Sequence, residues 1–163
     1  MKKSKKQNII IVSIAVIIIG AIGGYNYSVD QTKQKGFRFG NELQQIQEEV
    51  KQSQTEFNSK VIQWKEGDLS QQGLEEYSKD HIEKLQNVIL KYDDLIPPKQ
   101  FEPSVELFKL STQAQLDSDK EFIEWIKTGD DSHNIRSDSL IQESFEYEMT
   151  ALGEFNAAKA GLR

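Results

Sequence analysis

Apolar and polar positions along this chain follow two regimes. Ile9 to Gly24 reads IIIVSIAVIIIGAIGG, without a single ionisable side chain. Beyond residue 41 apolar residues instead return every three or four positions, the repeat of helices that bury one face. In the first such run Leu43, Val50, Phe57 and Trp64 stand at steps of seven, and Phe39, Ile46 and Val61 fill the intermediate spacing. Ser53 and Lys60 interrupt that row. Gly67 is a natural stop, and Asp68 or Ser70 can cap the next helix by accepting a bond from a free backbone N–H.

The second run carries Leu74, Tyr77, Ile82, Leu85, Val88, Ile89 and Tyr92 and closes at Leu95-Ile96-Pro97-Pro98. Consecutive prolines cannot continue a helix, because each lacks a donor and crowds the residue before it. Pro103 suits the first turn of a third helix. That helix bears Val105, Leu107, Phe108, Leu110, Ala114, Phe122, Trp125 and Ile126 and ends near Gly129. Asp130, Asp131 and Ser132 offer caps for a fourth, whose expected apolar face is Leu140, Ile141, Phe145, Met149, Leu152 and Phe155. Short connections force neighbouring helices to run in opposite directions. The expected fold is therefore all-α: an N-terminal transmembrane helix followed by an antiparallel, up-down-up-down four-helix bundle.

The uncharged stretch widens to Gln7–Val29, about 23 residues or roughly 34 Å as a helix, enough for a hydrocarbon core of roughly 30 Å. The plan is a basic head (1–8), an anchor (9–27), a stalk or hinge (28–40) and a bundle (41–163). Ile9, Ile10, Ile11, Val12, Ile14, Val16, Ile17, Ile18, Ile19 and Ile22 form the lipid-facing set. Lys5 and Lys6 mark one interface, and Tyr25 and Tyr27 the other. The lysines before the stretch outnumber the cations soon after it, which places the N-terminus in the cytoplasm and the bundle outside. A secretory signal cleaved before Gly24 is the alternative, since Ala21 and Gly23 stand two apart in the manner of a cleavage site. Gly36 and Gly40 make 28–40 either a hinge or a plain continuous helix that tolerates two glycines.

Charge narrows the partners. All 26 acidic residues follow residue 25, against sixteen of the 20 Lys and Arg, so the exterior part carries a net charge of −10. Nucleic acid, which is held by clustered cations, is excluded as a partner. The lipid bilayer is the first expected partner and another membrane or envelope protein the second; oligomeric state is not readable. With no cysteine, disulfides, thiolate metal sites and cysteine nucleophiles are all ruled out.

Candidate chemistry is sparse. His81 lies at the seven-residue step between Leu74 and Val88, as a ligand, a proton acceptor or a histidine held by one hydrogen bond at the core boundary. His133, three residues after Asp130, could meet a metal, but capping explains the loop's composition better. Glu143, Glu146 and Glu148 on the fourth helix and Asp117, Asp119, Glu121 and Glu124 on the third read as solvated faces. No phosphate loop, nucleophile elbow or His-Glu-x-x-His pair occurs, so the expectation is a non-enzymatic protein without a cofactor. Trp64 and Trp125, at helix ends, are the candidates for a ligand or partner surface. The arrangement resembles small, N-terminally anchored helical proteins of prokaryotic cell surfaces.

Overall fold

A computed structural model describes residue 22 and residues 34–161. Among these there are four long helices and no strand: α1 (Gln34–Glu66), α2 (Gln71–Asp93), α3 (Glu102–Thr128) and α4 (Asp131–Lys159), with a 3₁₀ turn at Lys99–Phe101 before α3. The ends follow local chemistry. Gly67 adopts a left-handed φ of 86° after α1, which lets the Asp68 and Leu69 amides both bond the Gln63 carbonyl. Of the two possible caps, Ser70 is the one used, its hydroxyl accepting from the Gly73 amide at 3.1 Å. Gly129 (φ 71°) closes α3, and Asp130 caps α4 through the Ser132 amide at 2.9 Å. From Gln34 onward α1 passes through Gly36 and Gly40 without a break, and Phe39 is already buried.

Contacts between helices fix their directions. Ser53 meets His81 and Gln47 meets Tyr92, so α1 and α2 are antiparallel. His81 meets Asp119 and Tyr92 meets Thr112, so α2 and α3 are too. Ser111 pairs with Ser144 and Ser118 with Ser137, which does the same for α3 and α4. The near end of the bundle thus holds the start of α1, the α2–α3 connection and the end of α4. Its core joins Phe39, Leu43, Phe101, Phe108, Leu152 and Phe155. Phe57, Val61, Leu74 and Ile123 fill the far end, and Leu85, Ile89 and Leu116 seal the α2–α3 flank.

The α3–α4 contact corrects part of the expected face of the fourth helix: Leu152 and Phe155 are core residues and Phe145 packs against them as expected, but the face is turned away from Leu140, Ile141 and Met149. Its buried line is Ser137, Ser144, Glu148, Ala151, Leu152, Phe155 and Ala158; Met149 is 47% exposed, and Leu140, Ile141 and Phe145 are half-buried. The cause is a seam of small residues at seven-residue steps: Ser104, Ser111 and Ser118 on α3 against Ser137, Ser144, Ala151 and Ala158 on α4, all buried. Small side chains let two helix backbones approach closely. The serines then bond across the gap, Ser111 to Ser144 at 3.0 Å and Ser118 to the Ser137 carbonyl at 2.8 Å. Close packing outweighs hydrophobicity in choosing which face turns inward.

Candidate functional site

Most of the bundle's unusual chemistry lies in its middle. On α1, Ser53 falls on the buried face where an apolar residue would continue the row, and its hydroxyl lies 3.0 Å from His81 Nδ1. The other ring nitrogen, Nε2, is 2.9 Å from Asp119 Oδ2, and the Gln54 amide donates to the same oxygen at 2.8 Å. Phe57 stacks flat on the imidazole, centroids 4.3 Å apart and planes 3° from parallel. One histidine thereby joins three helices. It is a core residue with two polar partners, where a boundary residue with one was expected.

Serine, histidine and aspartate in a row are the ingredients of a nucleophilic triad. Access decides against that chemistry here. A triad must present its hydroxyl to a substrate carbonyl, whereas Ser53 is 1% and His81 2% exposed. Each polar atom of the node that bonds its neighbour holds the helices in register.

A second polar layer lies toward the near end. Thr112 donates its hydroxyl proton to the Phe108 carbonyl at 3.0 Å, so the Tyr92 hydroxyl, 3.1 Å away, must be the donor of that pair. The same phenol oxygen accepts from the Gln47 amide at 2.8 Å. Burial pushes the Tyr92 phenol well above its ordinary range, and the nearby Glu148 carboxyl adds to the effect. Glu148 itself is buried, and desolvation pushes its carboxyl up to about 7. No buried lysine or arginine occurs among the described residues to offset it. The Gln115 amide oxygen is likewise buried without a hydrogen-bond partner.

His133 sits in the first turn of α4, its Nδ1 2.5 Å from Glu121 Oε2, and Arg136 Nε lies 3.1 Å from the other oxygen. The hydrogen bond to Glu121 raises the imidazole above its ordinary value. Asp130 is the helix cap, and the Ser132 backbone amide holds its carboxyl low. Asp117 and Glu124 pair with Lys120 and Lys127 on the surface of α3. Glu143 accepts from the Tyr147 hydroxyl. Among the described residues no three His, Asp or Glu side chains converge as they would around a metal ion.

Trp64 and Trp125 are brought together at the far end, edge to face at 6.3 Å. Phe122 contacts both, at 6.3 Å and 5.6 Å. Trp125 Nε1 donates to Asp131 Oδ1 at 3.3 Å, and the Lys65 ammonium lies 5.8 Å from the Phe122 ring centre. Both tryptophans are half-buried, forming an aromatic tip with one polar edge.

Of the anchor set, Ile9 to Ile19, with Lys5, Lys6, Tyr25 and Tyr27, lies outside the described residues. Ile22 is described: it is helical, fully buried and part of the near-end core with Phe39 and Phe155. Among the described residues no helix is long and apolar enough to cross a membrane.

Sequence reasoning located His81 and the two tryptophans but missed Ser53, Gln47, Gln54, Thr112 and the burial of Asp119 and Glu148. Only Ser53 left a trace, as a polar residue on an apolar row. The chain matches no family model, and no curated protein or solved structure is significantly similar to it.

Proposed function

We propose that this protein is a single-pass, membrane-anchored helical bundle held outside the cytoplasm, with a non-enzymatic role in binding, envelope structure or assembly with another membrane protein. The observation that carries the anchor is the uncharged stretch from Gln7 to Val29 behind Lys2, Lys3, Lys5 and Lys6. Support for a non-enzymatic role comes from the interior: its Ser53–His81–Asp119 row is closed to solvent, and its remaining polar groups bond chiefly to one another.

The test is extraction together with topology. The account expects the full chain to remain in the membrane fraction through carbonate, with a tag after Arg163 digested by protease added outside intact cells. Release into the carbonate supernatant, with a mature N-terminus at Gly24, supports the cleaved, secreted alternative. A protected tag overturns the orientation.

One observation favours a more specific role at the far end. Trp64, Phe122 and Trp125 form a half-exposed aromatic surface at the end opposite the start of α1, a fitting place for a ligand or partner contact. A ligand sensor of this kind would signal through a membrane partner.

A further inference from the structure

Resting on the reading above that the far end makes the partner contact, we infer that the aromatic tip docks a basic segment of a partner protein, whose arginine or lysine side chains lie on Trp64 and Trp125. Trp64, Leu69, Tyr77, Phe122 and Ile126 all pack on the far-end core yet stay half-buried, so this end presents aromatic and apolar surface to its surroundings. The chain's own lysines show what such rings accept. Lys65 Nζ lies 5.8 Å from the centre of the Phe122 ring and Lys60 Nζ 5.7 Å from that of Tyr77, both within the roughly 6 Å at which a ring face attracts a cation. Indole is the strongest acceptor of this kind. Among the described residues, no cation stands over Trp64 or Trp125.

Charge at this end is unbalanced. Residues 64–76 and 121–131, which build the tip, carry eight carboxylates against two lysines, whereas the rest of the chain from 38 to 161 carries seventeen against eleven Lys and Arg. Part of the excess is met within the bundle. Glu121 pairs with His133 and Arg136, Glu124 with Lys127, and Asp131 accepts from the Trp125 indole. Glu66, Asp68 and Glu76 are exposed and have neither hydrogen bond nor ion pair among the described residues. A purely apolar partner would strip water from these charges and return nothing. An arginine or lysine instead lays its hydrocarbon stem along the rings and brings its charged head to the carboxylates. The same charge argues against a second copy of this tip as the occupant, because like charges would face each other.

Trp64 and Trp125 are the only tryptophans of the chain, so intrinsic fluorescence reads the tip alone. The full chain, in a neutral detergent, is titrated with a short peptide alternating leucine and arginine, and with matched peptides bearing glutamine or glutamate in place of arginine. Dye-labelled copies of the same peptides measure total binding by anisotropy. The inference expects a saturable shift of tryptophan emission with the arginine peptide, at several-fold tighter affinity than with the glutamine peptide, and none with the glutamate peptide. A Glu66→Gln, Asp68→Asn double variant, altered only at exposed groups, should bind the arginine peptide several-fold more weakly, as should Trp64→Leu with Trp125 left as reporter. Equal responses to the arginine and glutamine peptides overturn the inference and leave the tip as an apolar contact surface. Binding of the arginine peptide that leaves the emission unchanged also overturns it, because the cations would then sit on acidic surface elsewhere. Binding of none of the peptides removes this inference and the far-end partner contact together.

Discussion

Asp119 and Glu148 are both buried carboxyl groups, on adjacent helices of one bundle, and their surroundings differ sharply. Asp119 receives His81 and the Gln54 amide on a single oxygen. Glu148 is buried on α4 near the Tyr92 phenol, with no buried lysine or arginine among the described residues to offset its charge. The first belongs to a satisfied network, and such networks fix register among helices. The second is exposed to the full cost of desolvation and is raised to about 7. Partners, more than depth, decide what a buried acid does to the fold.

The contrast can be broken at several points. Asp119→Ala would leave the His81 Nε2 and the Gln54 amide without an acceptor, and should cost about 3 kcal/mol. Urea unfolding of the full chain in detergent measures it; a loss near zero would mean that the node holds nothing. Asp119→Asn keeps the shape and one acceptor, and should lose less than half as much.

Glu148→Gln acts in the opposite direction. Because the folded carboxyl is raised from 4.5 to about 7, the folded state binds the proton more tightly than the unfolded chain between those values. Stability therefore falls as pH rises from about 4.5 to 7 and stays reduced above it, by up to roughly 3 kcal/mol. Glutamine removes the charge that causes the loss. The variant should match the parent at pH 4, exceed it at pH 8, and show a flatter profile of unfolding midpoint against pH.

Gln115→Met sharpens the comparison with a neutral group. Its amide oxygen is buried and unbonded, and replacing the amide with an apolar side chain of similar size should raise stability by about 1 kcal/mol. A loss by thermal unfolding would mean that the amide has a partner after all.

The smallest effect belongs to a pair at the surface. His133 is raised by its hydrogen bond to Glu121, so that pair's contribution is present at low pH and fades as pH rises through the raised value. At a site open to solvent it should be barely measurable. Imidazole titration by NMR checks the direction, and Glu121→Gln should return His133 toward its ordinary range.

Much of the architecture was legible because it is written locally. Gly67, Pro97-Pro98 and Gly129 each stop or separate helices through backbone restrictions that need no tertiary context, and Ser70 and Asp130 cap where their neighbours allow. The inward face of α1 was readable from its seven-residue steps. The face of α4 was readable only at Phe145, Leu152 and Phe155, because Ser137, Ser144, Ala151 and Ala158 carry a repeat of size, to which a search for hydrophobic periodicity is blind. The central node was hidden for another reason: Ser53, His81 and Asp119 are joined across separations of 28 and 38 residues, and no local spacing encodes such a meeting. Asp119 and Glu148 look like neighbouring surface acids in sequence. Only the packing of α3 against α4 and α2 turns both inward, and only the third helix finds an answering histidine.

The carboxyl of Glu148 itself gives the most direct test. In the folded full chain, selectively labelled and held in detergent, a carbon-13 titration should show its midpoint near 7. An ordinary midpoint near 4.5 would mean that this acid is solvated or paired, and the distinction drawn between the two buried carboxyls would be lost.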